Sequence, residues 1–321
     1  MVSKEKYKIL YEYSKPVIWN VTGFGNNEQL SILHRIIELL TLYDIDIPIK
    51  VLHGSYSCKY NGGRDCLYVM ERNGIESIVK NINNKNIGIK LTFSNSNNHK
   101  DTFEEEELRW YLDLLNETKN IGNGVICIND DFAELVKKYY PSLEVVASHV
   151  KMEAETVLGE TDTVDYYNSK FDLYDLVVFN TYRAFDDNFL SKIKHPEKVE
   201  FIVNHSCMTN CKLSKIHHKL TDEGQLIRDK YNHNFNDVVN SEDYKQYRKK
   251  LDDLMMKCKM ISTKQSLENT VKQQINREEI NHLIDNFNIT HFKIEGRDAF
   301  LQTFITAINK YLINTESLFL F

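Results

Sequence analysis

The sequence predicts a TIM-like (β/α)8 barrel formed as one domain over residues 1–321, and three observations predict it. Short β-branched or aromatic runs alternate with longer segments of helical period, the order that parallel strands joined by crossover helices require. The short runs are apolar for most of their length, as strands covered on both faces must be. Each run then turns polar at its C-terminal end, the rim where a barrel gathers its working groups.

Eight strands are expected at 17–24, 49–55, 87–94, 124–129, 143–149, 176–182, 199–204 and 291–295. Between them, segments such as 27–43, 103–117 and 131–141 repeat apolar residues three and four apart and read as the outer helices. The connection between the seventh and eighth strands, 207–290, is too long for one helix. It is expected to be an elaborated unit over the barrel mouth or side, with 260–265 as a short additional strand. The apolar tail 311–321 is expected to dock on the domain.

Composition narrows the function classes. A chain of 321 residues, 42% of them hydrophobic, can bury a large core. Its net charge of −6, with no block of like charges, argues against a strongly basic nucleic-acid-gripping surface, although a nucleic-acid substrate stays open. The N-terminal residues are charged, and no run approaches the roughly 20 apolar residues of a membrane span, so a cytoplasmic protein is expected. Six cysteines spread over so long a chain suggest reduced thiols or metal ligands rather than a disulfide scaffold.

The rim supplies the candidate site. Strand ends bring up Asn20 and Thr22, His53 and Ser55, Thr92, Ser94 and Asn95, Ser148 and His149, Asn180, and Asn204 with His205. Asn, Ser and Asp there also cap the helices that follow, a role that explains the histidines less well. His149 and His205 are candidate proton carriers because imidazole titrates near working pH.

Three segments add chemistry. In 204-NHSCMTNCKLSKIHH-218, Cys207 and Cys211 are four apart, close enough to share a metal or cluster, and His217 and His218 could add imidazole ligands. In 53-HGSYSCKYNGGRDC-66, Gly62 and Gly63 allow a tight turn and Arg64 offers a planar fork for a carboxylate or phosphate. Cys58 and Cys66 lie in the same loop, so four thiols meet if the two loops face each other. In 288-NITHFKIEGRDAF-300, strand period sets Lys293 and Glu295 on one side, with Arg297 beyond Gly296. Cys127 reads as a core thiol and Cys258 as a thiol on a helix face.

These segments resemble a known family. The run 261-ISTKQSLENTVKQQINREEINHLIDNFNITHFKIEGRD-298 resembles the end of the barrel in the collagenase-like peptidase family, and 204–218 looks like that family's cysteine-containing strand-to-helix loop. Segments 55–66, 88–97, 123–150 and 199–211 are similar to a branch of barrel proteins found in phages and bacterial surface-polysaccharide loci. The resemblance implies the barrel. It also implies an iron–sulfur cluster on four cysteines, since several members carry one and introduce oxygen into tRNA, rRNA or a quinone precursor, while others are named peptidases. Carried over residue by residue, it gives Cys207 and Cys211 for two of the ligand positions only; the other two have no match in the motif, and Cys58 and Cys66 are the candidates for them. Lys212 replaces the proline that normally stands beside the second cysteine.

The expected function is an enzyme with a divalent-metal or iron–sulfur site at the mouth, acting by hydroxylation or hydrolysis. Its partner would be a polar or anionic small molecule or a modified macromolecule. Cys207, Cys211, Cys58 and Cys66 are the candidate ligands, and Asn20, Arg64, Asn95, Asn204 and Arg297 the candidate substrate contacts. His149, His205 and Glu295 are the candidate catalytic groups. A metal-free sugar- or nucleotide-modifying barrel, with Glu295 as acid or base, and a non-catalytic binding protein remain as alternatives.

Overall fold

The computed structural model describes residues 10–62, 68–119, 121–157, 159–205, 207, 211, 213–268, 274–296 and 301–313. In chain order the first half runs β1 (Ile18–Phe24), α1 (Asn27–Leu42), β2 (Ile49–Gly54), α2 (Arg72–Asn83), β3 (Gly88–Phe93), α3 (Glu106–Asn116), β4 (Gly124–Cys127) and α4 (Asp130–Tyr139). The second half runs β5 (Glu144–Ala147), α5 (His149–Glu155), α6 (Val164–Lys170), β6 (Leu176–Phe179), α7 (Asp187–Leu190) and β7 (Val199–Ile202). It continues with α8 (Ser214–Lys230), α9 (Phe235–Asn240), α10 (Glu242–Glu268), α11 (Arg277–Phe287), β8 (His291–Ile294) and α12 (Leu301–Tyr311). The strands are parallel and in sequence order, and β8 pairs back onto β1 to close a barrel of eight.

Strand alternation sorts side chains between two environments. Trp19 and Val21, Ile89 and Leu91, Val125 and Cys127, and Phe201 and Val203 point outward into the main apolar core with the helices. At roughly 1.5–3 kcal/mol for each large side chain buried, this layer dominates stability. The alternate positions face inward. Ile126, Val146, Leu176, Val178 and Ile202 form a separate apolar cluster there. The remaining inward positions carry buried Asn20, Thr22, His53, Lys90, Lys293 and, on β7 below Ile202, Glu200. Their polar atoms form short chains: His53 Nδ1 donates to Asn20 Oδ1 at 2.8 Å, Asn20 Nδ2 donates to Glu200 Oε1 at 3.1 Å, and Lys90 Nζ lies 2.7 Å from Glu144 Oε2.

The eight strands start within one residue of their expected positions, and most end one to three residues early. The polar strand ends have joined the next element instead. Ser148, expected in a strand, is the N-cap of α5, its Oγ accepting from Val150 N at 3.2 Å, so His149 opens a helix and does not end a strand. Asn180 likewise precedes a 3-10 turn, Thr181–Phe185.

The long connection lies over the mouth. Helix α8 and the turn after it are tied to the loops after β2 and β3: Ser96 N donates to Asp222 Oδ2 at 2.9 Å, Ser57 Oγ donates to Gln225 Oε1 at 3.4 Å, and Ser57 Oγ lies 3.0 Å from His233 Nδ1 in the turn. Its outer side packs on α10 through Leu220, Tyr247, Leu251 and Leu254. Residues 260–265 belong to α10, so the additional strand expected there is a helix. Ile261 and Thr263 favour a strand locally, but a helix already nucleated over the preceding turns propagates through them at little cost. Near the C-terminus Tyr311 is buried and donates to Val203 O at 3.0 Å; the tail beyond 313 lies outside the described residues. No helix among the described residues is long and apolar enough to cross a membrane.

Candidate metal centre

Three side chains from two strand ends converge at the C-terminal mouth. His149 and Glu153 sit four apart on α5 and share one face of it. His205 follows β7, and its neighbour Asn204 fixes the local geometry. Asn204 Nδ2 donates to Glu295 O and Glu295 N donates to Asn204 Oδ1, both at 2.9 Å, which clamps the end of β7 to the end of β8. That clamp holds the Glu295 carboxylate 3.0 Å from His205 Nδ1.

The facing atoms have ligand spacing. His149 Nε2 and His205 Nε2 are 3.3 Å apart, and Glu153 Oε1 lies 3.4 Å from the first and 3.9 Å from the second. Donors about 2.0–2.1 Å from one tetrahedral ion would lie about 3.3–3.4 Å from each other. His149, Glu153 and His205 are the group among the described residues whose donor atoms are mutually close enough to hold an ion. Around them, Glu295 fixes the tautomer of His205, and His218 Nε2 lies 3.0 Å from Glu153 Oε2, the outer support that metal ligands commonly have. His149 Nδ1 is buried without a hydrogen-bond partner among the described residues.

Electrostatics favours the ligating forms. Burial holds His149 below the ordinary histidine range despite the opposing carboxylate of Glu153. Burial alone would raise Glu153, but His149, His218 and His205 outweigh it and hold the carboxyl well below its usual range. Neutral imidazole beside ionised carboxylate is the state a cation requires.

The centre opens into a pocket lined by Thr22, His53, Gly62, Thr92, Ser94, Ile126, Ile202, Cys207, Ser214, His217, His218, Lys293 and Glu295 besides the three donors. Other residues expected at the site sit apart from this lining. Asn20 lies beneath the pocket in the chain from His53 to Glu200. Asn95 is buried in the loop after β3, where it accepts from Asn97 N at 2.9 Å and donates to Asn61 O at 3.2 Å, so it shapes that loop and does not face the cavity. Asn204 acts on the backbone of Glu295 as described. Arg64, Cys66 and Arg297 lie outside the described residues.

The thiols divide. Cys207 and Cys211 meet at the start of α8, and the hydrogen bond from Cys207 lowers the Cys211 thiol to about 6, with burial opposing. Cys127 is a core thiol pushed up to about 12 by burial, and Cys258 lies on α10. Cys58 is packed in the main apolar core with Sγ 3.5 Å from Ser55 Oγ, and it does not line the pocket that Cys207 lines. The described thiols therefore give the four-cysteine cluster no support. A hard or borderline cation on imidazole and carboxylate fits the residues present better.

Glu153 is the residue that sequence reasoning missed. The signal is the i,i+4 spacing of His149 and Glu153 in 149-HVKME-153, which a strand ending at His149 hides. No family model and no curated protein matches the chain. Among solved structures it is similar to the U32 peptidase Mk0906, at 14% identity and a TM-score of 0.47, over 70% of this chain and 82% of that one.

Proposed function

We propose that this chain is a metal-dependent enzyme of the barrel mouth, with one divalent ion held by His149, Glu153 and His205, acting hydrolytically on a polar or anionic substrate. The observation that carries the reading is the near-tetrahedral spacing of those three donor atoms, with Glu295 behind His205. A divalent ion there would supply Lewis acidity and bring the pKa of a bound water toward neutrality. Glu295 holds His205 with its proton on Nδ1 and its lone pair on Nε2, toward the ion. His218 orients Glu153 through Oε2, which leaves Oε1 for ligation. His217 and His218 line the open side and are the groups within reach to carry protons to a leaving group. Two imidazoles and a carboxylate also suit ferrous iron, which gives hydroxylation as the second reading.

Calorimetric titration of metal-free protein with zinc, and anaerobically with iron(II), tests the proposal. One ion per chain is expected, and His205→Ala and Glu153→Gln should each weaken binding by about a hundredfold or more. Glu295→Gln should weaken it about ten- to hundredfold. Wild-type affinity retained by His205→Ala would sink the reading; a clear preference for iron(II) would move it to hydroxylation.

A further inference from the structure

Helix α5 carries two of the three donors but cannot aim them by itself. It has seven residues, too few for a helix to persist without tertiary support, and its His149 and Glu153 must meet His205 on another element. A second i,i+4 pair on α5, Lys151 and Glu155, falls about half a turn away, on the face opposite those donors. Resting on the metal reading above, we propose that Lys151 is a positioning residue of the centre. Its buried ammonium fixes the roll of α5 about its own axis and so holds the His149–Glu153 pair at ligand distance from His205.

Three observations carry this. The Lys151 side chain is 2% exposed, yet its three ammonium protons have three acceptors: Ile128 O at 2.8 Å, Asp130 Oδ1 at 3.0 Å and Glu155 Oε1. Ile128 follows β4 and Asp130 opens α4, so these bonds tie α5 sideways to the neighbouring strand and helix. Second, both carboxylates are shared with another cation. Lys170 Nζ on α6 lies 3.3 Å from Asp130 Oδ2 and 3.4 Å from Glu155 Oε2, which closes a ring of alternating charge through Lys151, Asp130, Lys170 and Glu155. Tyr174 donates to Asp130 and Tyr166 to Glu155, both at 2.6 Å. Burial alone would raise Asp130, but Tyr174, Lys151 and Lys170 outweigh it and hold the carboxyl below its usual range, in the charged form the ring needs. A ring balanced in charge and hydrogen bonds resists distortion, because removing any one member leaves a charge unpaired. Third, none of these four side chains lines the pocket, so the ring touches neither ion nor substrate and acts through α5. Metal–ligand distances are set to within about 0.2 Å, so a small roll of α5 is enough to part its two donors from His205.

The test titrates metal-free full-length protein with cobalt(II), whose visible spectrum reports the geometry of its ligands. The wild type should bind one ion per chain. Lys151→Met removes a positive charge near the centre, which by charge alone would tighten cation binding. Loss of aim has the opposite sign: cobalt should bind about tenfold or more weakly, with a changed spectrum at saturation. Lys170→Met, nearer the surface of the ring, should weaken binding several-fold and guards against a Lys151 variant that fails to fold; thermal melts of the metal-free proteins check both. Equal or tighter cobalt binding with the wild-type spectrum in a folded Lys151→Met, or in Lys170→Met where the first does not fold, would overturn the proposal even if the melting temperature falls, since the ring would then serve stability only. Wild-type protein that binds no cobalt would overturn the metal reading itself and this proposal with it.

Discussion

From β4 to β7 the inward positions nearer the C-terminal end hold Ile126, Val146, Val178 and Ile202, whereas from β8 round to β3 the same face holds Lys293, Asn20, Thr22, His53 and Lys90, with Glu200, deeper on β7, joined to that second set through Asn20. One barrel interior is thus half dispersion-packed and half hydrogen-bonded. The apolar sector needs no particular partner for each group and tolerates no charge. In the polar sector each buried group needs a partner, so Thr22 Oγ1, which has none among the described residues, stands out there. The three candidate donors rise from the apolar side, on α5 and after β7, and face the polar side across the pocket.

The sharpest way to break this contrast is to put a charge in the apolar sector. Val146→Asp should cost about 4 kcal/mol or more, because it sets a carboxylate among Ile126, Leu176, Val178 and Ile202, and urea unfolding should show a chain largely unfolded at neutral pH. A loss under about 1 kcal/mol would mean the sector admits water. Asn20→Ala should cost less, about 1–3 kcal/mol, by leaving His53 Nδ1 and Glu200 Oε1 without their shared partner. Chemical denaturation at pH 7 would measure it, and a neutral outcome would show that the polar chain is interchangeable with water. The smallest effect concerns His291, at the base of the polar sector. Burial holds its pKa below the ordinary value; Glu200 opposes and Lys90 adds to the shift. The unfolded chain therefore takes up a proton near pH 6.5 that the folded chain refuses, so stability falls as pH drops below that value toward the folded pKa. Replacing His291 with Gln should flatten the urea midpoint between pH 7.5 and 5.5, a difference under about 1 kcal/mol.

Much of this was legible before any coordinates. Continuous apolar runs with polar ends marked the eight strands, and the same polar ends pointed to His149, His205 and Glu295, which do come together. What failed was the assumption that a polar strand end faces the ligand. Asn95 and Asn204 spend their side chains on backbone groups, a use that a single sequence cannot distinguish from substrate contact. Glu153 was missed for a related reason: a two-residue error in where β5 ends hides the helical period that pairs it with His149. The cysteine spacing drew attention to 204–218 correctly as a region, yet the histidines and not the thiols make the three-donor group.

The Asn204 clamp has a consequence for how the molecule holds together. β7 and β8 are separated in sequence by 207–290, the longest excursion of the chain, and their junction is also where the last strand must slot in to complete the ring. Asn204 and His205 stand on one lip of that seam and Glu295 on the other, so the support behind His205 exists only once the ring has closed. An ion that prefers the supported imidazole is then linked to closure itself, stabilising the seam by mass action as its concentration rises. If the centre holds an ion as proposed, it would act as a latch across the β7–β8 seam, and removing the ion would loosen the barrel there first.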